Sequence, residues 1–308
     1  MFNQKSNIKL WIILAVLIIA VAIIFSTDST KKERSFRKDL VSIDTANVSE
    51  ISLFPKSQKG KEVKLVKKDN IWKVTSENGK QFTVPKTKIN NLFNQLLAIV
   101  PKRIAARSKD KWKEYQIDSA STIVVVNQGS EKVLDLMIGK FAFQQPRSMS
   151  TFVKLAKDND VYEVDGFLDM TFNKDVNSFR NETVIKSDKD KWNKLKFEME
   201  NPDSSFELVK MDKQWFINGQ KTDSAKTEQT LNSLSRLTNS NFSNIEKAAF
   251  PKQTNRLTIE TGEQPIIITA YQDSTNYIIE SSMNEENYFD GKSIGNKIFI
   301  SIKSLLND

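Results

Sequence analysis

The sequence predicts an α+β protein, in which a single N-terminal transmembrane helix precedes two tandem copies of a module made of an antiparallel sheet and a helix. Three observations lead to this prediction. Residues 10–25 are sixteen consecutive apolar residues. The pattern LVKxDxxW occurs at 65–72 and again at 208–215. After each copy, a helical pattern is followed by runs of β-branched residues that are typical of strands.

Residues 10–27 are predicted to anchor the chain in a membrane, with a short tail at residues 1–9. Sixteen apolar residues span about 24 Å as a helix, and flanking residues such as Lys9 can extend this toward the bilayer core of about 30 Å. The alternative is a cleaved signal peptide, because Ala20-Val21-Ala22 is a small-x-small triplet. The apolar run continues past that triplet to Phe25, which favours an uncleaved anchor.

The charges beside this segment do not fix its orientation. Lys5 and Lys9 precede it, and five basic residues follow it between Lys31 and Lys38, whereas cytoplasmic flanks normally hold the excess of positive charge. A short tail before a long body is typical of a signal anchor, so we expect the body to lie outside the cytoplasm.

The repeat divides the rest of the chain. Residues 28–44 are predicted to be a charged stalk, residues 45–182 a first module, residues 183–190 a polar linker, and residues 191–308 a second module. Each module is expected to contain a strand before the motif, a turn with glycine after its Trp, a helix, a hairpin, and a short final strand and helix.

The repeated motif is interpreted as structural. Its Leu can face the core, its Asp falls where a hairpin turn is needed, and its Trp begins the return strand. A buried Trp removes about 150–250 Å² from water, which favours a packing role over the alternative of ligand stacking. The residues in these positions are Leu65, Asp69 and Trp72 in the first copy, and Leu208, Asp212 and Trp215 in the second.

Composition excludes several kinds of chemistry. The chain has no cysteine and no histidine, which rules out thiolate nucleophiles, histidine triads and metal sites built on these ligands. The net charge is +8, but the basic residues are spread along the chain and mixed with 38 acidic residues. No nucleic-acid partner is therefore predicted. The basic run at 101–109 could bind an anionic head group, but a strand edge with outward charges explains it more simply. We expect no cofactor, no metal and no enzymatic activity.

The motif and several later stretches resemble the domain-of-unknown-function family DUF4340. These stretches are Leu136–Gly139, Thr151–Lys154, Val161–Phe167 and Phe179–Arg180. The resemblance covers nearly all of the first module and more loosely the second. It implies a bacterial inner-membrane protein with one N-terminal helix and a periplasmic or otherwise extracytoplasmic body. Some members are encoded with gliding-motility-type ABC transporter components and described as auxiliary subunits, and the family implies no catalytic residues.

The leading hypothesis is therefore a non-enzymatic, membrane-anchored accessory or scaffold protein that docks onto a membrane complex such as an ABC transporter. The first alternative is a module that binds a glycan or lipid between the two repeats. Trp112, Tyr115 and Tyr288 are the candidate contacts for such a ligand or for a partner, because they are aromatic side chains with a polar atom.

A carboxylate-dependent hydrolase is the remaining alternative. Glu285, Glu286 and Asp290 lie close together in the sequence, and paired carboxylates can cleave glycosidic bonds when they converge in a pocket. Acidic side chains near one another in sequence are more commonly exposed to solvent, so the hydrolase is ranked last.

Overall fold

The computed structural model describes residues 13–19, 39–144 and 148–306. Two nine-stranded antiparallel sheets with short helices make up the body. Residues 13–19 are helical and are called α1. The first module contains strands β1 to β9 and helices α2 and α3. Their bounds are β1 Glu50–Phe54, β2 Val63–Lys68, β3 Ile71–Thr75, β4 Gln81–Thr83, α2 Lys86–Leu97, β5 Pro101–Ala106, β6 Thr122–Gln128, β7 Glu131–Gln144, β8 Ser148–Leu155, β9 Val161–Asp165 and α3 Asp169–Phe172.

The second module contains β10 to β18 with α4 and α5. Their bounds are β10 Lys194–Glu198, β11 Phe206–Met211, β12 Gln214–Ile217, β13 Gln220–Lys221, α4 Ser224–Ser235, β14 Phe242–Ser243, β15 Gln253–Glu260, β16 Ile266–Gln272, β17 Tyr277–Ser281, β18 Tyr288–Asp290 and α5 Gly295–Ile298. Short 3₁₀ helices connect these elements, and the ones that matter below are Lys109–Tyr115 and Asn177–Phe179.

The two sheets have the same topology. The strand orders are β4-β3-β2-β1-β6-β7-β8-β9-β5 and β13-β12-β11-β10-β15-β16-β17-β18-β14, so each strand of the second sheet takes the place of the strand nine positions earlier. The predicted duplication of an antiparallel-sheet-plus-helix module is therefore confirmed. In both sheets the strand after the long helix crosses over to become an edge, which leaves β4 and β5 at the edges of one sheet and β13 and β14 at those of the other.

Each LVKxDxxW motif forms a two-residue β-hairpin. In the first, Lys68 pairs with Ile71 and the loop residues Asp69 and Asn70 both have positive φ. In the second, the loop is formed by Asp212 and Lys213, again with positive φ. Two left-handed residues in the loop match the right-handed twist of the flanking strands, and Asp and Asn adopt this conformation more readily than most residues.

Separate hydrophobic cores lie between each sheet and its helices. Helix α2 buries the face formed by Ile89, Leu92, Phe93 and Leu96, as its 3.6-residue period predicts. The Trp72 ring meets Phe93 edge-on, with 6.1 Å between ring centroids. The motif Trp therefore connects the sheet of the first module to its long helix.

The packed body extends into segments expected to be stalk and linker. Leu40, within the predicted stalk, is buried in the first core. Val184 and Ile185, within the predicted linker, are fully buried in the second core. The two modules therefore follow one another with little free chain between them.

The described part of the predicted anchor is helix α1. Its six large apolar side chains are 46–60% exposed, and none belongs to either core. Among the described residues, no helix is both long enough and apolar enough to cross a membrane. The rest of the predicted anchor, and stalk residues 28–38, lie outside the described residues.

Candidate functional site at the junction of the modules

The most unusual chemistry in the described residues lies where the two modules meet. Arg180 follows the 3₁₀ helix Asn177–Phe179 and is only 2% exposed. Its guanidinium carbon lies 3.8 Å from the ring centroid of Phe82 and 3.9 Å from that of Phe242. Phe82 belongs to edge strand β4 of the first sheet, and Phe242 to edge strand β14 of the second. One cation therefore contacts the edges of both sheets.

The hydrogen bonds of Arg180 go to neutral side chains. Its Nε donates to Oδ1 of Asn287 at 2.8 Å, and its Nη1 donates to Oδ1 of Asn177 at 3.1 Å and of Asn244 at 3.2 Å. Within the described ranges, no carboxylate forms an ion pair with it. Burial lowers the pKa of Arg180 to about 10, so the side chain still carries its charge at neutral pH.

Glu286 forms a second link across the junction. Its carboxylate accepts hydrogen bonds from the backbone N of Thr83 at 2.6 Å and from Oγ1 of Thr83 at 2.9 Å. Nζ of Lys73 donates to it at 3.1 Å. Burial by itself would raise the pKa of Glu286, but the bonds from Thr83 and the charge of Lys73 outweigh burial and hold the pKa below its ordinary value. The carboxylate is therefore fixed in its ionised form against strands β3 and β4.

The chain that connects the modules is held on both sides. Nζ of Lys88, on helix α2, donates to the carbonyl oxygens of Ser178 and Arg180 and to Glu182 at 2.7–2.8 Å. From the second module, Nδ2 of Asn284 donates to the carbonyl oxygens of Asn181 and Thr183 at 2.8 and 2.9 Å. Because most of these partners are backbone carbonyls, the contacts depend on the path of the chain rather than on side-chain identity.

A cavity of about 540 Å³ lies beside Arg180. Its wall combines β2–β4 of the first module, the segment before Arg180, and the segment after β14 of the second module. It is lined by Phe82 and Arg180, by the charged residues Lys61, Glu62, Glu77, Lys80, Asp175 and Glu246, and by amide and hydroxyl side chains that include Gln58, Ser76, Asn78, Asn177, Ser243 and Asn244.

The three candidate aromatic contacts do not come together. Trp112 and Tyr115 lie on the 3₁₀ helix Lys109–Tyr115 and cover one side of the first sheet. The Trp112 ring is 4.3 Å from Nζ of Lys154, and the Tyr115 ring is 4.6 Å from that of Phe152. Tyr288 lies on β18 of the other module. It meets the ring of Phe250 edge-on at 4.8 Å.

Lys154 explains why Trp112 lies where it does. The ammonium group is almost fully buried and donates to the carbonyl oxygens of Leu155, Ala156 and Asp158 at 2.9–3.2 Å. Burial lowers its pKa, with the nearby Asp158 and Asp135 acting in the opposite direction. Trp112 therefore covers a cation whose own donors are already satisfied.

The acidic residues proposed for a hydrolase have separate surroundings. Glu285 is exposed, Glu286 is bound at the junction as described above, and Asp290 caps a short 3₁₀ helix by accepting from the backbone N of Lys292 at 3.0 Å. In the part of the chain that the structure describes, no group of three or more acidic residues is arranged to hold a metal ion.

The basic run at 101–109 includes edge strand β5, and its charges are largely compensated. Lys102 pairs with Asp165 at 2.5 Å and Arg103 with Glu163 at 2.5 Å, both acids being on the neighbouring strand β9. Charged side chains of this kind on an edge strand disfavour its pairing with a strand of another molecule. The cross-strand pairs also reduce the positive potential that a nucleic acid or an anionic surface would need.

The Leu and Trp residues of the motif lie in or beside the cores, whereas Asp69 and Asp212 are exposed in the hairpin turns. Leu65 and Leu208 are fully buried, and Trp72 is buried, whereas Trp215 is only partly buried. Sequence reasoning singled out these residues but missed Arg180 as a site residue, because Phe179-Arg180 entered only as part of a resemblance. The one local signal was an arginine directly after a large apolar residue in an otherwise polar segment.

A family model described as "Domain of unknown function (DUF4340)" matches residues 72–256. The match begins in β3 and ends in β15. It therefore includes Phe82, Arg180 and Phe242, together with the whole chain between the modules. No curated protein and no solved structure matches the sequence.

Proposed function

We propose that this chain, which belongs to the DUF4340 family, is a non-enzymatic accessory protein held at a bacterial inner membrane by residues 10–27. Its two modules would lie outside the cytoplasm and dock onto a membrane complex such as an ABC transporter. The observation that carries this proposal is apolar surface that the packed modules leave uncovered.

Helix α1 supplies the first part of that surface. Six large apolar side chains within seven residues remain about half exposed or more. Contiguous exposed apolar surface of this kind marks a contact with a membrane or a partner. The apolar sequence continues on both sides of α1 from residue 10 to residue 25, which supports a membrane as its surroundings.

The hairpin of β7 and β8 supplies the second part. Phe141, Phe143 and Met149 are 47–59% exposed near its end. The equivalent hairpin of the second module is shorter, since β16 has 7 residues and β7 has 14. The extension is therefore specific to the first module, and its apolar side chains suit protein–protein contact better than solvent.

The orientation can be tested with single cysteines, because the chain has none of its own. We expect Ser130→Cys, in the exposed β6–β7 turn, to react with a membrane-impermeant maleimide in cells whose outer membrane has been permeabilised. Ser6→Cys, in the N-terminal tail, should react only after lysis. Reaction of Ser130→Cys only after lysis would place the body in the cytoplasm and contradict the proposal.

Docking can be tested by affinity capture of the tagged full chain from membranes in mild detergent. We expect specific membrane-protein partners, and we expect Phe143→Ser combined with Met149→Ser to reduce their yield several-fold. Met170→Ser combined with Met211→Ser removes similarly exposed apolar side chains elsewhere and should leave the yield unchanged. Absence of any stable partner for the unsubstituted chain would refute the docking role.

A further inference from the structure

We propose that the junction cavity binds a hydroxylated carboxylate of the size of a sugar acid, and that Arg180 receives its carboxylate group. This proposal is independent of the accessory role, because it concerns a ligand between the modules rather than a partner on their outer surface. Four features of the cavity support it: an uncompensated cation, the direction from which that cation can be reached, the state of the nearby acids, and the polar lining.

The first feature is charge. Buried arginines are normally paired with an acid, and an unpaired buried charge is costly. Arg180 has three amide oxygens and two aromatic rings around it but no carboxylate among the described residues. Amide oxygens and ring faces stabilise a cation only in part. An anionic ligand would supply the missing counter-charge.

The second feature is geometry. The ring centroids of Phe82 and Phe242 lie 3.8 and 3.9 Å from the guanidinium carbon. Because these rings cover the guanidinium plane, a ligand can reach the group only along its edges. Nε and Nη1 already donate to Asn side chains. Nη2 has no acceptor within the described ranges. Since a carboxylate is planar and accepts from guanidinium N–H groups, this edge suits it.

The third feature is that each nearby acid already has a partner. Glu77 pairs with Lys61 at 2.5 Å, and Glu246 with Lys80 at 3.9 Å. Glu62 accepts from Oγ of Ser52 at 2.6 Å and Asp175 from Oγ of Ser178 at 2.6 Å. The four acids nevertheless make the wall unfavourable for a ligand with several negative charges. The cavity therefore favours a single carboxylate over a phosphate.

The fourth feature is the lining around the cation. Side-chain amides and hydroxyls that both donate and accept hydrogen bonds surround an apolar patch at Phe82. Sugar hydroxyls need this mixture of donors and acceptors. The volume of about 540 Å³ lies within the range of about 300–1,000 Å³ found for small-molecule sites.

Glucuronate is the probe that tests this directly, with glucose, acetate and glucose 6-phosphate as comparisons. The full chain would be placed in lipid nanodiscs and binding measured by calorimetry and by ligand-observed NMR. We expect glucuronate to bind in the millimolar range or tighter, and each comparison compound to bind at least tenfold more weakly. No binding of glucuronate, or tighter binding of the sugar phosphate, would overturn the proposal.

Asn244→Asp tests the role of Arg180 without removing it. The substitution is nearly isosteric and places a carboxylate at the position of an oxygen that is 3.2 Å from Nη1. We expect the new carboxylate to pair with Arg180 in place of the ligand and so to weaken glucuronate binding at least tenfold. Asn296→Asp, an equal change of charge on the exposed face of α5, should leave binding unchanged. Equal binding by Asn244→Asp and the unsubstituted chain would show that Arg180 does not receive the ligand.

Discussion

The substitution Asn244→Asp should also make the folded protein more stable, because it pairs a buried cation that now has no acid beside it. The oxygen of residue 244 is 3.2 Å from Nη1 of Arg180. At that separation, two unit charges attract by about 1 kcal/mol in bulk water and by about 5 kcal/mol at an effective dielectric constant of 20. Asn244 itself is exposed, so the new carboxylate loses little hydration.

The pKa of Arg180 limits how much can be gained. Its fall to about 10 means that burial disfavours the charged form, and this cost is present at every pH below about 10. At about 1.4 kcal/mol per pKa unit, the cost is on the order of 3 kcal/mol. We therefore expect Asn244→Asp to raise the free energy of unfolding by about 1–2 kcal/mol at neutral pH, after allowance for ordering the side chain.

Urea unfolding of the full chain in nanodiscs, followed by tryptophan fluorescence, measures this change. Asn296→Asp controls for the added negative charge on a protein with a net charge of +8, which by itself reduces self-repulsion. The gain should shrink as pH falls below about 4, where the new Asp is protonated. If Asn244→Asp is no more stable than Asn296→Asp, the view of Arg180 as an uncompensated cation is wrong.

Two further predictions concern the repeated motif and the second link across the junction. Trp72→Ala should cost about 3–5 kcal/mol of stability, as for other buried aromatic residues, whereas Trp215→Ala should cost less because Trp215 is only partly buried. Thermal unfolding of the two variants tests this difference, and equal losses of stability would contradict the packing role assigned to Trp72. Glu286→Gln should destabilise the protein at pH 7, because the pKa of Glu286 is lower in the folded protein than in the unfolded chain. The ionised carboxylate therefore stabilises the fold above the unfolded-state pKa, and this stabilisation is lost as the pH falls through the folded-state pKa. Urea titrations over a series of pH values from 7 downward should therefore show a difference from the unsubstituted chain that shrinks as the pH falls, and a difference of the same size at every pH would exclude an ionic contribution.

Local sequence patterns were sufficient to predict the module itself. The LVKxDxxW hairpin depends on residues within eight positions of one another, and three of the four turn residues in its two copies are Asp or Asn, which tolerate positive φ. The buried face of α2 depends on a 3.6-residue period. The repetition of both patterns then predicted two copies of the same fold. Each of these inferences needed only neighbours in sequence.

The junction could not be predicted in this way, since its contacts join distant parts of the chain. Arg180 bonds to residues 64 and 107 positions away, and Glu286 bonds to Thr83 at a separation of 203. A composition-based linker prediction also missed Val184 and Ile185, which are buried in the second core although polar and charged residues follow them. The aromatic candidates Trp112 and Tyr288 were chosen by residue type alone, which does not determine whether they face one cleft.

The fixed arrangement of the two modules around Arg180 is tested most directly by a distance measurement between them. Spin labels on Ser130→Cys and Gln264→Cys, in equivalent exposed turns of the two modules, can be placed uniquely in a chain without cysteine. Pulsed electron paramagnetic resonance should give one narrow distance distribution, which should broaden when Arg180→Met is combined with Glu286→Ala. A broad or multiple distribution in the chain that retains Arg180 and Glu286 would contradict a fixed junction.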